Sequence, residues 1–164
     1  MARYDKNIAD EKLHGLNSAI VTNTSFGYQK RVVEVDGALN LSSVTAARSY
    51  SSSILSIEQA PYSITLPTAT TEAEATQLLG WHISIICTSA GARDVTVVRG
   101  DTSNDAIIGT VVASETAGAS GITIGSNVVT FAAGAATEGD RVDIVCVAAT
   151  DSATMYSAIA YCAA

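Results

Sequence analysis

Few side chains in this sequence are of types that do chemistry, and their spacing limits what they could do. Histidine occurs twice, as His14 and His82. A serine nucleophile needs an oriented imidazole and a sharp turn to present it, and no G-x-S-x-G elbow surrounds any serine. Glu72 and Glu74 could be cast as a carboxylate pair for glycoside hydrolysis. They stand where a helix begins, however, and acidic residues there favour the helix dipole. Gly100-Asp101-Thr102-Ser103-Asn104-Asp105 groups oxygen donors that calcium would tolerate. It lacks the EF-hand pattern, so the reading adopted is an Asx-rich turn capping its own backbone. No G-x-G-x-x-G, G-x-x-x-x-G-K or H-E-x-x-H is present. Cys87, Cys146 and Cys162 are odd in number, have no C-x-x-C spacing, and each lies in an apolar run. They are expected to be buried, reduced thiols made in the cytosol, which leaves the sequons at Asn23 and Asn40 as chance matches. The sequence therefore predicts no catalytic residue, no cofactor and no metal, and hence no enzyme.

Composition bounds the remaining possibilities. The chain has 164 residues, 48% of them hydrophobic but only 15% charged, with nine aromatic side chains. Much of the apolar content is Ala and Val, diluted by Ser, Thr and Gly, and the whole reads as a β-rich composition rather than that of a helical bundle. So little charge suggests that part of the surface is covered by partners. Residues 1–50 carry six basic and five acidic side chains (+1), and residues 51–164 carry three and eleven (−8). An acidic body is a poor nucleic-acid binder. No apolar run reaches eighteen residues, so no membrane-spanning helix is expected, and the first thirty residues lack a signal-peptide core.

The elements that would position these residues are mostly strands. Residues 1–31 show at most a weak helical turn between Asn7 and Gly15, and all three lysines lie there. They read as an extended arm that orders on a partner, with Tyr4, Ile8, Leu13, Leu16, Ile20, Phe26 and Tyr28 as its anchoring points. Residues 32–58 follow as a hairpin and connecting region. Arg31–Val35 and Ala38–Leu41 flank Asp36-Gly37, which predicts a type I′ hairpin. Residues 59–164 form the body. Tyr62–Leu66 alternates and stops at Pro67, and Thr71 to Gly80 is the one helix, with Thr71 and Glu74 at capping-box spacing. Further strands run through Trp81–Cys87, Val95–Arg99, Ile107–Ala113, Ile122–Ile124, Val128–Ala132, Arg141–Ala148 and Thr154–Cys162, with a Gly125-Ser126 hairpin turn. About ten short strands and one helix predict an all-β fold, an antiparallel β-sandwich or jelly roll.

Parity assigns the faces. Trp81, Ile83, Ile85 and Cys87 share one side, with Trp81 in the core. Val142, Ile144 and Cys146 oppose Arg141, Asp143, Val145 and Val147. Met155, Ser157, Ile159 and Tyr161 oppose Tyr156, Ala158, Ala160 and Cys162. Several strands are thus apolar on both faces, which points to a second packing surface and to self-association.

The succession of Tyr62-Ser63-Ile64-Thr65-Leu66-Pro67, an apolar strand, Val128-Val129-Thr130-Phe131, Glu138-Gly139-Asp140-Arg141 and a Tyr-rich final strand resembles small β-rich virion proteins of tailed bacteriophages. These are capsid decoration (cement) proteins and head-fibre or tail-fibre modules. The resemblance covers roughly residues 60–164; Tyr156 and Tyr161 stand where such modules often carry a Trp. It implies a structural protein on the capsid exterior, commonly a homotrimer, with the major capsid protein as partner. The rival readings are a carbohydrate-binding or adhesin-type β-sandwich module and a small β-fold enzyme.

Overall fold

The computed structural model describes residues 31–57, 60–88, 93–101, 103–112, 121–125 and 127–163. The elements, in chain order, are β1 (Val32–Val35), β2 (Leu39–Asn40), α1 (Val44–Tyr50), β3 (Ile54–Ile57) and β4 (Ala60–Thr65). Then come α2 (Glu72–Leu78), β5 (His82–Cys87), β6 (Arg93–Val98), β7 (Ala106–Val112), β8 (Ile122–Ile124) and β9 (Val128–Phe131). β10 (Arg141–Ala149) and β11 (Thr154–Tyr161) close the series. The fold is largely β, with two short helices among the described residues.

The strands form two sheets. The first has the order β1-β3-β5-β10-β11-β7 and the second β2-β4-β6-β9-β8. Both are mixed, which corrects the antiparallel expectation. β1, β3 and β5 run parallel, as do β2, β4 and β6, and β7 joins β11 in parallel. The antiparallel pairs are β5 with β10, β10 with β11, β6 with β9, and β8 with β9. The cause lies in the connections. From β1 to β8 each successive strand enters the other sheet, so β1, β3 and β5 become neighbours in one sheet and β2, β4 and β6 in the other. A chain that crosses over and returns in the same sense lays such strands parallel, whereas the direct hairpins β8–β9 and β10–β11 are antiparallel.

The Asp36-Gly37 hairpin is therefore not formed. β1 and β2 belong to different sheets, and Gly37 lacks the positive φ that a type I′ turn requires. The β8–β9 hairpin does form, with its turn shifted. Gly125 N–H donates to the Val128 carbonyl at 2.8 Å and Ile124 faces Val129, so the pair closing the turn is Gly125 and Val128.

α2 begins as expected, with Thr71 Oγ1 accepting the Glu74 N–H at 3.2 Å. The return bond goes one residue upstream: the Glu74 carboxylate accepts from Thr70 N–H at 2.8 Å and Thr70 Oγ1 at 2.7 Å. Gly80 follows at φ +79°, and its N–H reaches the Cys146 carbonyl at 3.0 Å, tying the helix exit to β10. α1 was not expected. It is seven residues long, too short to be stable alone, and opens on two β-branched residues. It is held by its Ser43 cap, by burial of Val44 and Ala47, and by the Trp81 indole N–H, which donates to the Ala47 carbonyl at 2.7 Å.

The expected core faces are observed. Trp81, Ile83, Ile85 and Cys87 are buried, as are Val142, Ile144 and Cys146, and Tyr156, Ala158 and Ala160. Buried phenols tie the two sheets together. Tyr62 of β4 donates to the Val35 carbonyl of β1 at 2.5 Å, and Tyr156 of β11 donates to the Pro67 carbonyl just past β4. The Trp81 and Tyr156 rings meet edge to face at 6.3 Å. One close approach requires glycine: a Cβ on Gly109 of β7 would lie 2.0 Å from the Ala158 carbonyl oxygen of β11.

Two of the three thiols, Cys87 and Cys146, are buried as expected. Cys162 is only partly buried, because it lies beyond the last paired residue of β11. None forms a disulfide. Burial pushes the Cys146 thiol up to about 11 and raises the Tyr156 hydroxyl as well.

Three predictions arise from this core. Tyr156→Phe leaves the buried Pro67 carbonyl unpaired and should cost about 1–3 kcal/mol, read as a lower denaturant midpoint at unchanged slope. An unchanged midpoint would show that this hydroxyl bond contributes nothing. Both Cys146 and Tyr156 hold their protons more tightly folded than unfolded. Tyr156 keeps its contribution up to the ordinary phenol value of 10.0 and loses it progressively above, while the Cys146 contribution is complete below the ordinary thiol value of 9.0 and is lost as pH rises through about 11. Thermal midpoints should therefore fall between those pH values. Thiol labelling of the native protein near pH 8 should reach Cys162 first, with Cys87 and Cys146 following only on unfolding.

Candidate partner-binding surface

The residues singled out for chemistry are held apart by the fold and used locally. His82 opens β5 half-buried, with Nδ1 3.3 Å from the Gly80 carbonyl. It borders a shallow depression of about 360 Å³ with Arg48, Ser51, Ser52, Gln77, Leu79, Gly80 and Trp81. Arg48 there donates to Gln77 Oε1 at 3.2 Å, and Ser52 adopts a left-handed φ of 62°. The lining offers the Ser51 and Ser52 hydroxyls but no carboxylate or thiol, and the His82 ring's contact is with the Gly80 carbonyl rather than with either serine. His14 lies outside the described residues.

Glu72 and Glu74 stand in the first turn of α2. Glu74 is consumed by the cap; the Thr70 hydroxyl, and then the Thr70 N–H, hold its carboxyl below the usual carboxylate range. In the Asp101 loop the oxygens serve the loop itself. Asp101 Oδ1 accepts from Ser103 N–H at 2.7 Å and Oδ2 from Asn104 Nδ2 at 3.1 Å, which lowers its pKa, the Ser103 N–H having the largest effect.

Asp105 is buried and does more. Its Oδ2 accepts from Asp101 N–H at 2.8 Å, and its Oδ1 accepts from Thr154 N–H at 2.7 Å and Thr68 Oγ1 at 3.3 Å. It thus fastens the start of β7 to the start of β11 and to the segment leaving β4. Asp140, also buried, holds Thr137 N–H at 3.0 Å, Thr137 Oγ1 at 3.3 Å and Ala163 N–H at 2.7 Å. Sequence reading assigned neither role, because each partner of Asp105 in β11 and near β4 is dozens of residues away. Among the described residues no three His, Cys, Asp or Glu side chains converge as metal ligands.

The proposed anchors Tyr4, Ile8, Leu13, Leu16, Ile20, Phe26 and Tyr28 all lie outside the described residues. What the described part does present is an apolar outer face on the first sheet. Val145 and Val147 of β10, Met155, Ile159 and Tyr161 of β11, and Ile108 and Val112 of β7 are each between 37% and 51% exposed. Of the remaining exposed large apolar residues among those described, Val32 lies on the same side at the distant β1 edge and Leu79 follows α2. The register explains the clustering. Arg141, Tyr161 and Val112 form one cross-strand row, Asp143, Ile159 and Thr110 the next, and Val145, Ser157 and Ile108 the third. The charges within the face are paired: Arg141 bonds Asp143 at 3.0 Å and lies 4.7 Å from the Tyr161 ring centre. Parity had marked the β10 and β11 members of this face; Ile108 and Val112 were missed because β7 shows no clean alternation in sequence.

The second sheet's outer surface differs. Ser63, Thr96, Thr130 and Thr123 stand side by side across β4, β6, β9 and β8, forming a row of hydroxyls, with Ser63 and Thr96 bonded at 2.9 Å.

Comparison of the chain with protein-family models, with curated proteins and with solved structures found no match.

Proposed function

We propose that this chain is a non-enzymatic structural protein of a virion, one that binds the capsid lattice, stabilises or decorates it, and associates with copies of itself. The observation that carries the reading is the apolar outer face of β10, β11 and β7, in a chain with only 15% charged residues. A face of that kind suits a permanent contact. Self-association as a trimer is the number implied by the resemblance to phage decoration and fibre proteins. The two sheets, bridged by Tyr62 and Tyr156, are read as the layers of a β-sandwich of jelly-roll type. The acidic body suits the outside of a shell, away from packaged nucleic acid. Residues 1–31, with Tyr4, Ile8, Leu13, Leu16, Ile20, Phe26 and Tyr28, are the proposed attachment to the major capsid protein. Burying one such side chain contributes about 1.5–3 kcal/mol, so several together offset the entropy of ordering the segment.

A second reading, a carbohydrate-binding or adhesin-type module, is favoured by the hydroxyl row Ser63–Thr96–Thr130–Thr123. Against it, Trp81, the side chain best suited to stack on a sugar ring, is only 3% exposed.

Co-sedimentation with capsids tests the main reading. The full chain should saturate the particles at a fixed stoichiometry, and a chain lacking residues 1–31 should keep its circular dichroism spectrum but stay in the supernatant. Binding to immobilised glycans without capsid binding would favour the second reading. Full occupancy by the shortened chain would remove the anchoring role of residues 1–31.

A further inference from the structure

The first sheet brings together two features that point to the same occupant. One is the apolar outer face. The other is the edge at which that face ends. β7 pairs with β11 on one side and, among the described residues, with no strand on the other. Its sequence, Ala106-Ile-Ile-Gly-Thr-Val-Val112, spans seven residues without a charge or a proline. Charge, proline and shortness are the usual devices that stop sheet edges from pairing. The other three edges have them: β1 has four residues with Glu34 among them, β2 has two residues, and β8 has three. Among the described residues, the edge without these devices is therefore the one continuous with the apolar face, with the short strand β8 of the second sheet nearby.

We infer that this face and the β7 edge form the contact with a second copy of the chain. The charge pattern selects that occupant. Residues 31–164 carry five basic and thirteen acidic side chains, −8 in all, so two copies repel over most of their surface. The face is the exception. Its charged residues, Arg141 and Asp143, neutralise each other at 3.0 Å, and Arg141 is further engaged by Tyr161. Copies meeting there bring no net like charge together, while a partner recruited by opposite charge gains nothing from a neutral surface. The inference rests on the self-association proposed above and identifies where it occurs.

Light scattering on the full-length protein tests it. The wild type should have a mass that is a whole multiple of one chain at micromolar concentration. Ile159→Lys, at the centre of the face, and Ile108→Lys, beside the edge, should each reduce it to one chain at concentrations where the wild type is fully associated. Val32→Lys, on the same outer face but at the β1 edge, should leave the mass unchanged. Circular dichroism of each variant should match the wild type, since all three side chains are exposed. If either lysine variant misfolds, hydrogen exchange of the wild type decides: β7 amides should exchange faster on dilution to one chain. If the wild type is a multimer and the folded Ile159 and Ile108 variants remain so, this surface is not the contact, although self-association stands. If the wild type has the mass of one chain, both the surface and the self-association reading fall. A single-chain mass with β7 amides protected at every concentration would instead assign the face to another segment of the same chain.

Discussion

The structure depends on one topological constraint: from β1 to β8 the chain enters the opposite sheet at each successive strand. Every such step separates consecutive strands by the thickness of the core, so most backbone ladders join residues distant in sequence. Two pairs of consecutive strands, β8–β9 and β10–β11, bond directly to each other. The helices follow from the same constraint. α1 and α2 occupy the returns from β2 to β3 and from β4 to β5, where extra chain is needed to come back across the core.

A fold with few local hairpins needs other bonds to hold its crossings in register, and buried polar side chains supply them. Tyr62 and Tyr156 each span from one sheet to a carbonyl at or beyond the other. Trp81 fixes α1 through Ala47. Asp105 gathers Asp101, Thr68 and Thr154, and Asp140 gathers Thr137 and Ala163. Each carboxylate is out of water but bonded several times, the condition under which a buried charge is tolerated. The acidic residues in the Asp101 loop are thus part of the architecture.

The outer surfaces differ because the sheets do. On the first, the positions facing away from the core through β10, β11 and β7 are mostly apolar, with Arg141 paired to Asp143; on the second they include a line of hydroxyls across four strands.

The sequence by itself determined what is local. Period-two alternation located the strands and their buried faces, because a strand's side-chain direction is fixed by position alone. Thr71 with Glu74 located α2, because a cap acts within one turn. The two-faced apolarity of β10 and β11 was visible for the same reason. Only the tertiary structure decided strand direction and partnership. Asp36-Gly37 has the composition of a hairpin, yet Val35 is drawn to a core bond with Tyr62 and Leu39 to a pairing with Ile64, and those long-range bonds override the turn preference. α1 is helical because Trp81, thirty-four residues on, takes the Ala47 carbonyl. Asp105 became a hub, and Ile108 and Val112 part of an apolar face, only when β7 was laid beside β11. Such outcomes depend on which distant groups meet, and no local pattern records that.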